Sequence, residues 1–192
     1  MRLKAGLAVA VVLLAGACGG PETPQDEPTK EATASAEPTE TANTLEGAVI
    51  EPGRVGPYVV GMSANEALDK GLVREPAEGA PCPALEATEP FQNVAVVFNE
   101  SEPQPELLGV LVKVKGPKTA EGIGVGSPIA DLRAAYGDQL RLEAGDYGEK
   151  VLRIYEGDNA MGFTSSRGTK PRMEIDAIEV FAKSDPVTWD GC

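Results

Sequence analysis

The sequence predicts an α+β domain made of two tandem repeats, each a short helix followed by antiparallel strands, with the helices on one face of the sheet. Two similar stretches, residues 56–68 and 122–132, support this prediction, because each combines turn glycines, a serine and a short helical pattern. Val60-Gly61 in the first stretch corresponds to Val125-Gly126 in the second. A unit that recurs in this way is typical of repeated supersecondary structure. The two repeats are expected at about residues 55–116 and 120–192.

Capping chemistry predicts where both helices begin. Ser63 and Glu66 are predicted to form a capping box. In it the serine hydroxyl accepts a hydrogen bond from a backbone N–H at the helix start, and the glutamate side chain accepts one from the backbone N–H of the serine. In the second stretch Ser127 is the predicted N-cap, and Pro128 occupies the first helical position, where a missing N–H costs nothing. Gly71 and Gly137 are the glycines expected to end the two helices.

Apolar and alternating runs predict the strands, at residues 93–98, 107–115, 151–155, 160–163 and 174–181. The first run is apolar on both faces, which predicts a central strand. The second run places Leu108 and Val110 on the same side. In the last run the alternation is lost between Ile175 and Ile178, which predicts a bulge.

The N-terminus has the pattern of a processing signal. Met1 to Lys4 is basic, and the apolar run from Ala5 to Ala15 is shorter than the ~20 residues that span a bilayer. The sequence Leu-Leu-Ala-Gly-Ala-Cys that ends at Cys18 resembles the lipobox of bacterial lipoproteins. This resemblance implies that residues 1–17 are a lipoprotein signal peptide and that Cys18 receives a diacylglycerol. The alternative is an ordinary secretory signal cut near Ala17, with Cys18 unmodified.

Residues 18–44 are predicted to be the lipidated cysteine and a disordered linker. The segment is rich in proline, threonine and acids, so it has too little apolar surface to offset its conformational entropy. Fully extended, it would reach ~85 Å. The folded domain is therefore expected to occupy residues 45–192, at the end of a spacer.

The remaining cysteines fit an exported protein. With Cys18 lipidated, Cys82 and Cys192 are an even pair, and in an oxidising compartment we expect them to form a disulfide. The bridge would close a loop of about 110 residues, worth ~4–5 kcal/mol in the chain-entropy model. A metal site or a reactive thiol is the alternative, and the absence of histidine from the chain disfavours zinc.

Charge and composition disfavour several classes of function. The formal net charge is −13, and loss of Arg2 and Lys4 with the signal peptide makes it more negative, which opposes binding to nucleic acid or to anionic lipid. Without histidine there is no Ser-His-Asp or Cys-His arrangement. The glycines at 122, 124 and 126 follow a loop and precede no Lys-Ser/Thr, so they do not predict a phosphate loop. We expect no catalytic residue, cofactor or metal ligand.

Val-Gly-Met-Ser at 60–63 and Val-Gly-Ser-Pro at 125–128 each open a helix that runs to a glycine. In this they resemble secreted actinobacterial-type lipoproteins. More loosely, they are similar to the tandem helix-then-sheet modules of β-lactamase inhibitor protein and of the small outer-membrane assembly lipoproteins. The stretch 122–137 and the ending at Cys192 are the closest matches. The resemblance implies a binding scaffold.

The sequence therefore predicts a lipoprotein on the extracytoplasmic face of the cell membrane that acts as a protein-binding or envelope-structural module. A small-ligand or glycan binder is the second hypothesis, and an enzyme is the third. The other face of a sheet that carries its helices on one side would be available for contact. Tyr147, Tyr155 and Trp189 are the candidate contact residues.

Overall fold

The protein is described by a computed structural model that covers residues 45–80, 84–101, 103–145 and 148–184. The predicted signal peptide and linker lie outside the described residues, as do Cys18, Cys82 and Cys192. The described part therefore bears on the predicted folded domain. No helix within it is long and apolar enough to cross a membrane.

Strands dominate the described part of the chain. The strands are β1 (Val49–Glu51), β2 (Arg54–Val55), β3 (Tyr58–Val59), β4 (Val73–Arg74), β5 (Glu86–Ala87), β6 (Val94–Phe98), β7 (Leu107–Val112), β8 (Lys118–Thr119), β9 (Arg141–Ala144), β10 (Lys150–Glu156), β11 (Asn159–Thr164) and β12 (Ala177–Ala182). The helices are α1 (Ala64–Asp69) and α2 (Ile129–Tyr136), and a 3-10 turn, Gly137–Gln139, follows α2. The predicted α+β class is confirmed.

Six strands form the main sheet, in the spatial order β6-β7-β12-β11-β10-β9, and all neighbouring pairs are antiparallel. A smaller sheet has the order β3-β2-β1-β8, in which β1 and β8 are parallel. β4 and β5 form a separate antiparallel pair. We name the face of the main sheet that packs against the helices the inner face, and the opposite one the outer face.

The inner face of the main sheet carries the principal hydrophobic core. Val110 and Phe163 of this face belong to one cluster of buried side chains with Leu132 of α2 and Ala67 of α1. Tyr58 of the small sheet lies in the same cluster. Burial of a large apolar side chain contributes about 1.5–3 kcal/mol. The helices and the small sheet are therefore held to the main sheet by a shared core.

α1 begins where the sequence predicts. Ser63 is its N-cap, and the Ser63 hydroxyl oxygen accepts a hydrogen bond from the backbone N–H of Glu66 at 3.2 Å. The reciprocal half of the predicted capping box is wrong. The Glu66 carboxylate instead accepts a hydrogen bond from Lys70 Nζ at 2.7 Å, as an exposed pair one helical turn apart.

α2 begins differently from the prediction. Its N-cap is Pro128, with an extended backbone and no side chain that caps the helix. The Ser127 hydroxyl accepts a hydrogen bond from the backbone N–H of Gly124 at 3.0 Å, so it closes the preceding turn. The predicted Ser127 cap is wrong because this turn already uses the hydroxyl. Gly137 ends the helix as predicted, with a φ of +48°.

β6 forms at the predicted position, but the prediction that it is central is wrong, because it lies at one edge of the main sheet. Its apolar residues serve two different clusters. Val94 and Val96 are buried in the core on the inner face, while Val97 packs on the outer face. A strand with apolar residues on both faces therefore does not require a neighbour on both sides.

β7 contains an irregularity that the sequence analysis missed. The register between β6 and β7 shifts between Val97 and Phe98, so Leu108 is the additional residue on its strand. Leu108 consequently packs on the outer face, whereas Val110 is in the core on the inner face. The predicted placement of both residues on one side is wrong for this reason.

The predicted bulge between Ile175 and Ile178 is also wrong. β12 begins at Ala177, and its pairing with β11 runs without a shift. Ile175 lies before the strand, where its carbonyl accepts a hydrogen bond from the Gly126 N–H at 2.8 Å. In the same manner, Gly61 N–H donates to the carbonyl of Leu107 at 2.8 Å.

The cap of α1 can be tested by substitution. Ser63→Ala should lower the free energy of unfolding by about 1 kcal/mol, because an orphan N–H at the helix start loses its acceptor. Ser63→Asp keeps an acceptor and is the matched control, expected to retain most of the stability. Urea unfolding followed by circular dichroism measures both. An alanine variant as stable as the unsubstituted chain would contradict the cap.

Candidate functional site

The outer face of the main sheet carries a second, smaller cluster of apolar side chains. Ala160 and Phe181 are buried, and Val97, Leu108 and Tyr155 pack against them while partly exposed. The register places Tyr155 opposite Ala160, and Ala160 opposite Phe181, across three neighbouring strands. We name these five residues the outer patch.

Arg153 lies beside the outer patch and forms two ion pairs. Its guanidinium is 3.2 Å from the Glu143 carboxylate and 3.2 Å from the Glu179 carboxylate, and the arginine side chain is only 15 % exposed. Its guanidinium carbon also lies 5.3 Å from the ring centre of Phe181. We name Arg153, Glu143 and Glu179 the ion cluster.

The arginine of the ion cluster stays charged despite its burial. Burial acts to lower the pKa of Arg153, but the interactions with Glu179 and Glu143 outweigh it, and the pKa is raised. The arrangement has a cost, because Arg153 Nε is buried without a hydrogen-bond partner. The ion cluster therefore fixes a positive charge at a defined place on the outer face.

Gly162 allows Arg153 and Glu179 to meet across the strand between them. Arg153 lies opposite Gly162 in the register, and Gly162 lies opposite Glu179. A Cβ atom at Gly162 would overlap the Glu179 carboxylate and would lie 2.7 Å from its Cγ. Any side chain at position 162 would therefore displace Glu179 from its place above the sheet.

Tyr155 connects the outer patch to the surrounding charges. Its hydroxyl donates a hydrogen bond to Glu143 at 2.7 Å, and burial, followed by the contact with Glu143, raises the pKa of Tyr155. The Arg141 guanidinium carbon is 5.5 Å from the ring centre, and Lys183 Nζ is 5.6 Å from it. The aromatic ring thus lies between two cations at the border of the patch.

A cleft of about 550 Å³ lies on the opposite side of β10 and β11, next to α2 and the turn between β1 and β2. Buried Ile154 and Met161 contribute to its lining. Its exposed polar lining includes Glu51, Glu121 and Glu156, and none of the described residues that line it is basic. Such a lining can attract a cation or a hydrogen-bond donor.

A hydrogen bond in the cleft favours the ionised form of a carboxylate. The Tyr136 hydroxyl donates a hydrogen bond to Glu121 at 2.5 Å, and this bond is the main reason that the pKa of Glu121 is lowered. Burial and the same contact raise the pKa of Tyr136. A carboxyl general acid needs the opposite shift. In the described part of the chain, no group of three or more carboxylate or thiol side chains is placed to hold a metal ion.

No protein-family model matches the chain, and no curated protein or solved structure is significantly similar to it.

Of the predicted site and contact residues, only Tyr155 is among the residues that the structure describes. The lipidation and disulfide cysteines lie outside the described residues, as do Tyr147 and Trp189. Tyr155 is in the outer patch. The ion cluster was not predicted, although Gly162 inside one apolar strand and Arg153 inside another indicate a close approach.

The role of Gly162 can be tested by a double-mutant cycle. Gly162→Ala should lower the free energy of unfolding by roughly 1–3 kcal/mol, because the added methyl group overlaps Glu179. In a Glu179→Ala background the methyl group has room, so most of this cost should disappear. Chemical denaturation of the four proteins measures both values. An equal cost in the two backgrounds would rule out the proposed overlap.

Proposed function

We propose that this chain is a lipoprotein, anchored by Cys18 to the extracytoplasmic face of the cell membrane, whose folded domain is a protein-binding or envelope-structural module. The outer patch is the proposed contact surface. The anchor is supported by the lipobox-like sequence and by the acidic, proline-rich segment that follows it. That segment is long enough to hold the domain well away from the lipid surface.

The composition of the outer face is the observation that carries this proposal. Protein interfaces combine an apolar, aromatic centre with a polar rim, and tyrosine and arginine are enriched among their strongest contacts. Phe181 at the middle of the outer patch is itself buried, and the partly exposed side chains of Val97, Leu108 and Tyr155 around it are the ones that a partner can contact. Exposed Arg141 and Lys183 border the patch.

The ion cluster supports the same surface, because it holds Tyr155 in one orientation. Glu143 accepts hydrogen bonds from both Arg153 and the Tyr155 hydroxyl. Side chains that are already fixed lose less conformational entropy when a partner binds. A pre-organised patch of this kind suits a binding module.

We also infer that the domain consists of two tandem repeats. Supporting this, Gly61 and Gly126 both have positive φ, +86° and +90°, and both donate a backbone hydrogen bond at the start of an interior strand of the main sheet. The acceptor Leu107 begins β7, the acceptor Ile175 lies just before β12, and these two strands pair with each other. Each half then contributes a helix and a set of antiparallel strands.

A small-ligand or glycan binder is the second candidate function. The cleft beside α2 favours it, because a volume of about 550 Å³ is within the usual range for ligand sites. An enzyme is the third, and the lowered pKa of Glu121 is unfavourable for acid catalysis at this cleft.

Photo-crosslinking in intact cells tests the proposed surface. A photoreactive residue at Leu108 should yield a defined protein adduct, because Leu108 lies in the outer patch. One at Val59, which is 44 % exposed on the small sheet, is the control and should yield none. The Leu108 adduct should be lost in a Tyr155→Glu variant.

The lipid anchor is tested separately, because Cys18→Ser should release the protein from the membrane.

Two results would contradict the proposal in different ways. Membrane association that is unchanged in Cys18→Ser would remove the anchor. Adducts of equal yield from Leu108 and Val59 would remove the outer patch as the contact surface. A non-protein adduct obtained only from a third position, Gln139 in the lining of the cleft, would favour the ligand-binding alternative.

A further inference from the structure

The outer edge of β9 is unpaired within the described part of the chain. β9 ends the main sheet, where β10 is its neighbour. Leu142 in this strand is 54 % exposed, more than any other large apolar side chain among the described residues. Edge strands are commonly protected by short length, charged side chains, proline or a bulge. β9 has four residues and no proline or bulge, and its two charged residues, Arg141 and Glu143, have opposite sign. Its edge is therefore open to a strand of complementary charge.

Arg141 on this edge is an exposed cation whose opposite residue is a second arginine. In the register it lies directly opposite Arg153, and like charges placed opposite each other are destabilising. Arg153 is compensated by Glu143 and Glu179. Arg141 has no ion pair within the described residues and only contacts the ring of Tyr155. A carboxylate on the open side of Arg141 would offset the repulsion.

β9 is complementary to a second copy of itself in one register. In an antiparallel pair, residues directly opposite each other lie on the same face of the sheet, whereas neighbours along a strand lie on opposite faces. When two copies of β9 pair about a two-fold axis, the residue at the axis must therefore lie opposite itself. An axis at Arg141 or at Glu143 would place two like charges opposite each other. An axis at Leu142 places leucine opposite leucine on the inner face. On the outer face it places Arg141 opposite Glu143 of the second copy, twice.

We propose that two copies of this chain associate through β9, antiparallel and centred on Leu142, so that their main sheets become continuous. The association is weak, because a four-residue strand buries far less than the roughly 1,200–2,000 Å² of a stable interface. The net negative charge of each chain adds a repulsion that salt screens. Because the association is weak, the fraction of dimer rises with protein concentration. It does not depend on the partner proposed for the outer patch.

Single cysteines in the full chain test the register. With Leu142 at the axis, the two Cβ atoms at position 142 are about 5 Å apart, whereas those at position 144 are about 14 Å apart along the strands. A short bifunctional thiol reagent should link two chains that carry Leu142→Cys. It should not link chains with Ala144→Cys, the matched control on the same edge and the same face. The unsubstituted chain gives the background from the native cysteines.

Charge variants in the Leu142→Cys background test the ion pairs. Arg141→Glu should reduce the yield of linked dimer several-fold, because it places two glutamates opposite each other at both ends of the pairing. Arg172→Glu makes the same change in charge at an exposed residue outside β9 and should leave the yield unchanged. Circular dichroism of each purified variant establishes that the fold is retained.

The measurements are made in intact cells and on the purified chain at rising concentration. A dimer from Leu142→Cys that exceeds the Ala144→Cys background and falls with Arg141→Glu supports the proposal. Equal yields from positions 142 and 144, or no dimer from position 142 in either setting, would overturn it. A linked product with the mass of a different protein would also overturn it, because the edge would then serve another partner.

Discussion

The pairing of β7 with β12 is the interaction on which the rest of this structure depends. It joins β6 and β7, which precede α2 in the chain, to β9–β12, which follow it. On the inner face it places Val110 opposite Val180 in the core. On the outer face it brings β7, with Leu108, beside the strand that carries Glu179 and Phe181. Both the core and the outer patch therefore require this one register.

The outer face shows how a sheet can keep a surface defined although no helix among the described residues packs on it. A buried ion pair is weak support for stability, since desolvation offsets most of the attraction between the charges. The ion cluster is better understood as a positional constraint. Arg153 reaches Glu179 over Gly162, and Glu143 orients Tyr155. Gly162 and Arg153 stand out inside apolar strands, but only the register across four strands brings the five residues together.

Local features of the fold were predictable from the sequence, and long-range ones were not. The Ser63 cap and the strands β10 and β11 follow from patterns within a few residues, because capping and alternation are local physics. The edge position of β6 is set by which strands pair, and a single strand does not carry that information. The prediction that Ser127 caps α2 was wrong, because its hydroxyl accepts a hydrogen bond from Gly124 in the preceding turn. Gly162 and Arg153 inside apolar strands indicate a close approach, but Glu143 and Glu179 could not be predicted as the partners of Arg153, since they reach it only through the strand order.

The central claim is that β6 and β7, which precede α2, and β9–β12, which follow it, form one cooperative sheet through the pairing of β7 with β12, with one continuous outer face. Native-state hydrogen exchange of the backbone amides tests it most directly. The amides of β7 and β12 should be the slowest in the domain, and they should exchange together, with the free energy of global unfolding. The account would be contradicted if the amides of β7 exchanged at a lower free energy than those of β12, because β6 and β7 would then open independently of β9–β12.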